Sequence, residues 1–183
     1  MIQFSRPLIG IAAFSGTGKT TLLKKLIPIL NAHGLRTGVV KHAHHTFDID
    51  HPGKDSYELR HAGAGQVAVA SRERIAWIRE YRDDREETTL LDALSALDIN
   101  HLDLVIVEGF KHEDFPKIEL HRPALGHPLL CAKDSNIIAL AADERVVGAP
   151  DIQQLDLNNA NTIADFIISN MNTGNDDEPV YAV

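Results

Sequence analysis

The residues best suited to chemistry form a glycine-rich stretch at positions 15–21, with the sequence SGTGKTT. From Ala13 onward the chain fits the phosphate-loop motif G-x-x-x-x-G-K-[ST], except that Ala13 replaces its first glycine. In such a loop the glycines let backbone N–H groups converge on an anion. Lys19 can reach the β- and γ-phosphates of a nucleotide, and the Thr20 hydroxyl can bind Mg²⁺. The stretch therefore predicts a phosphate site, in which alanine at position 13 costs little if its φ is negative.

The alternative interpretation of this stretch is an ordinary glycine-rich turn before a helix. The surroundings favour phosphate binding, because a phosphate loop joins a buried strand to a helix whose N-terminus attracts negative charge. Residues 7–14 form a continuous apolar run, typical of such a strand. Residues 19–34 carry leucines and isoleucines at helical spacing.

A magnesium–nucleotide site also needs an acid from a second strand, and the stretch LDLVIVEGF at residues 102–110 offers two. Asp103 starts the predicted strand within this stretch and Glu108 ends it, so they should lie roughly 16 Å apart. Ligands of parallel α/β sheets bind at the carboxyl ends of the strands. We therefore predict that Glu108 binds Mg²⁺ or its water, and that Asp103 is an exposed residue at the strand start.

A polar, histidine-rich segment follows the second predicted strand. Lys41 and His42 should lie near the nucleotide, and His44 and His45 come next. Three interpretations remain open: a solvated loop, a contact to phosphates or a second ligand, and a dedicated zinc or nickel site, although the spacing matches no strong metal motif. Within this segment we expect Asp50 to be the carboxylate near Mg²⁺.

The identity of the base is left open by the core motifs. The chain has no N-K-x-D tetrad, with which many GTP-binding proteins recognise guanine. The corresponding strand end is LAAD, whose Asp143 can accept hydrogen bonds from guanine; an ordinary loop carboxylate is an equally good interpretation. These motifs do not separate GTP from ATP.

The rest of the chain supplies the elements that position these residues. Strands alternate with helices, which predicts an α/β P-loop NTPase fold, a mainly parallel sheet flanked by helices, with an antiparallel hairpin extension. We predict one nucleotide-binding domain over residues 1–170 and a disordered tail over 171–183. The predicted sheet strands are 7–14, 36–42, 102–110, 117–122 and 136–144, the hairpin is 66–71 with 74–81, and the helices are 19–34, 56–63, 88–100 and 159–172, the last capped by an asparagine.

Composition narrows the class of partner and compartment. The 183 residues carry a net charge of −8, which argues against nucleic acid or an anionic membrane as partner. Cys131 is the single cysteine, so no intrachain disulfide can form. We read no signal peptide in the sequence. No apolar run approaches the length of roughly 20 residues that is needed to span a bilayer. We therefore expect a cytoplasmic protein.

Four stretches together resemble one known family: SGTGKTTLLKKLIP, KHAHHTFDIDHPGKDSYELRHAG, VASRERIAW and LDLVIVEGFKHE. They are similar to the MobB family of molybdopterin-guanine dinucleotide biosynthesis proteins, and the similarity runs from about residue 7 to residue 168. The resemblance implies a GTP-binding fold, a homodimer and weak GTPase activity. It also implies partnership with the guanylyltransferase that joins GMP to molybdopterin.

The resemblance also implies roles for individual residues. The acidic role at a strand end belongs to Glu108, and the loop roles belong to the histidine-rich segment, which contacts either GTP or molybdopterin. We therefore expect GTP and Mg²⁺ as ligands, with molybdopterin as a further candidate. The implied phosphate-loop residues, with Ser15 added at the loop's start, are Ser15, Gly16, Thr17, Gly18, Lys19, Thr20 and Thr21, and the implied segment residues are His42, His44, His45, Asp48 and Asp50.

Two other functions would use the same phosphate loop. A small-molecule kinase needs a lid with arginines, and the stretch SRERIAWIREYRDDRE carries five. A metallochaperone GTPase would use some of the ten histidines. For an adapter we expect slow hydrolysis, since no arginine or glutamine is clearly placed as an activator. We also expect the strand edge of the hairpin, which carries Trp77, either to help form the dimer or to be covered.

Overall fold

The computed structural model describes residues 2, 4–43, 47–84 and 87–173, and these divide into two compact units. The first unit comprises Met1–His42 and Leu90–Val183, and the second comprises Ala43–Thr89. The strands are β1 (Leu8–Ala12), β2 (Thr37–Lys41), β3 (Gln66–Ala70), β4 (Ile75–Arg79), β5 (Leu104–Glu108), β6 (Lys117–His121), β7 (Ile137–Ala142) and β8 (Gln153–Asp156). The helices are α1 (Lys19–Ala32), α2 (Asp55–His61), α3 (Leu90–Leu94) and α4 (Ala160–Thr173).

The first unit is built on a six-stranded sheet in the order β2-β5-β1-β6-β7-β8, in which every pair is parallel. The predicted α/β architecture with a mainly parallel sheet is therefore confirmed. Strand β8 was not predicted, because only one of its four residues, Leu155, is buried. A polar strand at the sheet edge has no apolar run from which to recognise it.

The two faces of this sheet have separate apolar cores. Alternate side chains of a strand point to opposite faces. Ile9 and Ile11 of β1 pack in a cluster with α1 and α4, in which Leu26 and Leu30 are fully buried. Val105 and neighbouring apolar residues on the other face pack with α3. The sheet is therefore covered on both faces, as a parallel sheet requires.

The predicted helices differ from the observed ones at their ends. Within the stretch 88–100 the structure forms the short helix α3, then a turn and the start of a 3₁₀ helix at Ile99–His101, although the leucines continue at helical spacing. Helix α4 begins as predicted, since the Asn159 side chain accepts from the backbone N–H groups of Asn161 and Thr162 at 3.1 and 3.3 Å. Helix α4 continues to Thr173. The rest of the predicted tail, 174–183, lies outside the described residues.

The second unit consists of helix α2 and the predicted antiparallel hairpin of β3 and β4. Ile75 and Trp77, two residues apart on β4, are exposed. Across the part of the chain that the structure describes, no helix combines the length and apolar character needed to cross a bilayer.

In the second unit the side chain of Arg60, which is 8% exposed, lies against three acidic residues. The Arg60 guanidinium lies 2.8 Å from Asp48, 2.6 Å from Glu80 and 3.7 Å from Asp50. The hydrogen bonds from Arg60 lower the pKa of the Asp48 carboxyl. These contacts join the end of the histidine-rich segment to α2 and to the residue after β4.

Candidate functional site

The backbone between β1 and α1 has the form of an anion-binding loop. Gly16 and Gly18 have φ of 80° and 106°, a region that favours glycine. Helix α1 begins at Lys19, and its N-cap, Gly18, provides no side-chain hydrogen bond. The first turn of α1 contains no acidic side chain. Since the N-terminal N–H groups of a helix lack partners within the helix, this loop favours a bound anion.

The replacement of the first motif glycine by Ala13 is compatible with the loop. Among the described non-glycine residues only Phe110 has a positive φ, so Ala13 has a negative one. Alanine therefore carries no left-handed strain at this position.

The side chains of the loop divide into internal and accessible ones. Thr17 is buried, and its hydroxyl donates to the Phe14 carbonyl at 3.0 Å, so that hydroxyl stabilises the loop itself. Lys19 Nζ donates to the Ala13 and Phe14 carbonyls, each at 3.2 Å, which keeps the ammonium inside the loop. The remaining predicted phosphate-loop residues are accessible: Ser15, Gly16, Thr20 and Thr21 are exposed, and Gly18 is half-buried.

Glu108 lies at the carboxyl-terminal ends of the parallel strands, where the phosphate loop follows β1. In the strand register, Glu108 pairs with Ile11 of β1 on one side and with Lys41 of β2 on the other. Its side chain is half-buried. Two predicted site residues from different strands, Glu108 and Lys41, are therefore neighbours at this end of the sheet.

A tight turn after β5 brings His42 against this end of the sheet. The His42 N–H donates to the Glu108 carbonyl at 2.8 Å, and the His42 ring stacks on Phe110 with centroids 4.4 Å apart. Gly109 has a φ of 95°, and a Cβ there would overlap with the Cβ of His42. The turn thus depends on glycine at position 109.

Asp143 has a protein partner that the sequence did not indicate. Its carboxylate accepts from Arg122 Nη1 at 2.6 Å. The same guanidinium donates from Nε to the Thr17 carbonyl at 3.0 Å. Arg122 thus links the phosphate loop to Asp143, whereas the expectation that no arginine or glutamine is clearly placed as an activator of hydrolysis stays a prediction. The position of Arg122 directly after β6, at the carboxyl end of a strand, was the available signal.

We expect Arg122→Ala to weaken nucleotide binding about tenfold, because a loop carbonyl and a carboxylate both lose their donor. Amide hydrogen exchange at residues 15–19 should become faster in this variant. Arg122→Lys keeps the charge but loses the planar fork, so it should recover only part of the affinity. Wild-type exchange and wild-type affinity in Arg122→Ala would contradict a positioning role.

The other carboxylates and the cysteine are engaged within the protein. Asp103 accepts three hydrogen bonds from Arg36, at 2.8 to 2.9 Å, which hold the pKa of that carboxyl well below its usual range. Burial, assisted by the Glu119 carboxylate, raises the pKa of the Cys131 thiol to about 12. That thiol therefore stays protonated at neutral pH.

The remaining predicted metal and loop residues lie elsewhere in the chain. Asp50 belongs to the second unit, where it accepts from the Ser56 hydroxyl at 3.2 Å and faces Arg60. Its predicted role beside Mg²⁺ stays a prediction. His44 and His45 lie outside the described residues. Among the described residues, no group of three or more histidine, cysteine or acidic side chains is arranged to hold a metal ion.

The parallel sheet and the glycine loop between β1 and α1 define a protein with a P-loop NTPase fold. Residues 8–143 match the MobB family, described as molybdopterin guanine dinucleotide synthesis protein B. The chain belongs to this family.

Similar proteins support this assignment over nearly the whole chain. A molybdopterin-guanine dinucleotide biosynthesis adapter protein of Escherichia coli K12 is 51% identical over 92% of this chain and 95% of its own length. The adapter protein of the same name from Haemophilus influenzae is 44% identical over 88% of this chain and 87% of its own. A crystal structure of molybdopterin-guanine biosynthesis protein B is 30% identical, with a TM-score of 0.70 over 90% of this chain and 99% of that one.

Proposed function

We propose that this chain is an adapter in molybdopterin guanine dinucleotide synthesis that binds GTP with Mg²⁺ on its phosphate loop and hydrolyses it slowly. The names of its close relatives support the adapter role. The observation that carries nucleotide binding is the uncapped N-terminus of α1, with Lys19 inside the loop and Glu108 at the same end of the sheet.

Each part of the loop has a defined task in this proposal. The N–H groups of residues 16–21 bind phosphate oxygens, and Lys19 neutralises phosphate charge. Thr20 and Glu108 offer a hydroxyl and a carboxylate, which are hard oxygen donors that fit a magnesium ion. Magnesium supplies charge neutralisation on the phosphates. Arg122 donates from Nε to the Thr17 carbonyl, which fixes the orientation of that carbonyl in the loop.

The proposal extends to the assembly in which the adapter works. We infer a cytoplasmic homodimer that assists the guanylyltransferase of the pathway. The exposed Ile75 and Trp77 on the hairpin support a role of β4 in self-association, since exposed apolar side chains beside a strand edge favour pairing with another chain.

Calorimetric titration of the full chain with GTP and with ATP, each with and without Mg²⁺, tests the nucleotide assignment. We expect GTP to bind more tightly than ATP, and Mg²⁺ to strengthen binding of GTP. Equal affinities for the two nucleotides would contradict the guanine assignment. A lack of binding by either would contradict the phosphate site as a whole.

A further inference from the structure

The first unit contains a cavity that the proposed GTP site does not use. Its volume is about 440 Å³, within the range of pockets that hold small organic ligands. The cavity is lined by residues 111, 112 and 114 on one side and by residues 128–130, 133, 134, 136 and 137 on the other. Between these walls it reaches Ala12 and Phe14, where β1 passes into the phosphate loop.

Two buried charged residues of β6 fix one wall of this cavity. The Glu119 carboxylate accepts from the backbone N–H groups of Leu130 and Cys131, both at 2.8 Å. Lys117 Nζ donates to the Asp134 carboxylate at 3.0 Å. Lys117 and Glu119 are at most 1% exposed. Because a buried charge is costly unless it is paired, these contacts hold residues 130–134 in one place.

The Lys117 ammonium also reaches the opposite wall of the cavity. Lys117 Nζ also donates to the Glu113 carbonyl at 2.6 Å, so both walls are attached to one ammonium group. An ammonium group has three N–H donors, and these two contacts use two of them. Lys117 itself lines the cavity, and its Nζ also lies 4.9 Å from the centroid of the Phe115 ring, so its charge is held by groups of the wall.

The lining combines apolar surface with charged side chains, among which lysines outnumber carboxylates. Phe14, Leu129 and Ile137 provide apolar surface, and the Phe14 ring stacks on His127 with centroids 4.5 Å apart. The exposed cations Lys111 and Lys133 also line the cavity, together with His112 and with the exposed carboxylate of Asp114, which accepts from the Asn136 amide at 3.0 Å. These cations are gathered in a chain whose net charge is −8. The combination favours a ligand that has a planar apolar ring and an anionic group.

We propose that this cavity binds a small aromatic heterocycle carrying a phosphate or carboxylate, with the ring against Phe14 and the anion towards Lys111 and Lys133. The choice of a pterin as that heterocycle rests on the proposed function. The preference for a ring with an anionic group rests on the lining of the cavity alone. Since Phe14 also begins the phosphate loop, a ligand here would lie beside bound nucleotide without occupying its phosphate site.

Pterin-6-carboxylate is a fluorescent probe of this chemistry, and its anisotropy on titration with the full chain measures binding. We expect saturable binding, at least fivefold tighter than that of the uncharged 6-hydroxymethylpterin. The double variant Lys111→Ala, Lys133→Ala should weaken binding of the probe tenfold or more. Lys25→Ala removes an exposed lysine on α1 and should leave binding of the probe unchanged.

Competition with GTP tests whether the probe binds in this cavity or on the phosphate loop. We expect saturating GTP with Mg²⁺ not to displace the probe, and the double variant to bind GTP with wild-type affinity. Displacement by GTP, loss of probe binding in Lys19→Ala, or unchanged probe binding in the double variant would each overturn the proposal. Probe binding that depends on Lys111 and Lys133 in a chain that fails to bind GTP would uphold the cavity and refute the nucleotide assignment.

Discussion

Lys19→Ala should lower the affinity for Mg²⁺–GTP by about 3 kcal/mol, more than a hundredfold in the dissociation constant. The ammonium group lies inside the phosphate loop, within 3.2 Å of the Ala13 and Phe14 carbonyls. Its removal takes away charge-assisted hydrogen bonds to the phosphates, which are stronger than neutral ones. Calorimetric titration of the variant with GTP measures the loss directly.

The matched control for this substitution is Lys25→Ala, which removes the same charge from an exposed position on the same helix. It should bind GTP as the wild type does, because its distance from the loop leaves only screened, long-range attraction. An affinity of Lys19→Ala within twofold of the wild type would mean that nucleotide binds away from this loop. The proposed function would then lose its site.

Gly109→Ala should destabilise the first unit by about 3 kcal/mol, of which left-handed strain on alanine contributes about 1 to 2 and steric overlap most of the remainder. Gly109 has a φ of 95°, and an added Cβ would overlap with the Cβ of His42. For a chain of this size the loss corresponds to a fall of roughly 6 to 12 °C in Tm. Thermal unfolding followed by circular dichroism provides the measurement.

Gly126→Ala separates the two causes of this effect. Gly126 also has a positive φ, 66°, but a Cβ there meets no atom within 4 Å. It should therefore show the conformational cost alone, about 1 to 2 kcal/mol. If both variants lost the same stability, the close approach of His42 to the turn after β5 would have no energetic consequence.

Sequence alone was sufficient for the features that depend on neighbouring residues. The apolar runs that became β1 and β5 indicated buried strands, because strands covered on both faces need no polar alternation. The glycines and Lys19 indicated the phosphate loop, because that chemistry requires a short, continuous motif. The position of Glu108 at the end of β5 followed from the end of an apolar run, whereas its role beside Mg²⁺ stays a prediction. The family resemblance was confirmed for the same reason, since it rests on local motifs.

Local patterns did not identify features made by residues distant in the chain. Arg122 donates a hydrogen bond to the carbonyl of Thr17, 105 positions away. It also donates to Asp143, which the sequence suggested as a contact to guanine. Nor did any pattern indicate that buried Lys117 and Glu119 hold the wall of a cavity.

The sequence by itself therefore determined the class of fold, the glycine loop between β1 and α1, and the family. The tertiary structure alone decided which strands are neighbours, which charges are paired and where a second cavity lies. The physical reason is that helical spacing, apolar runs and glycine turns act over a few residues. An ion pair or a cavity wall exists only after the sheet has placed β6 beside β1 and β7.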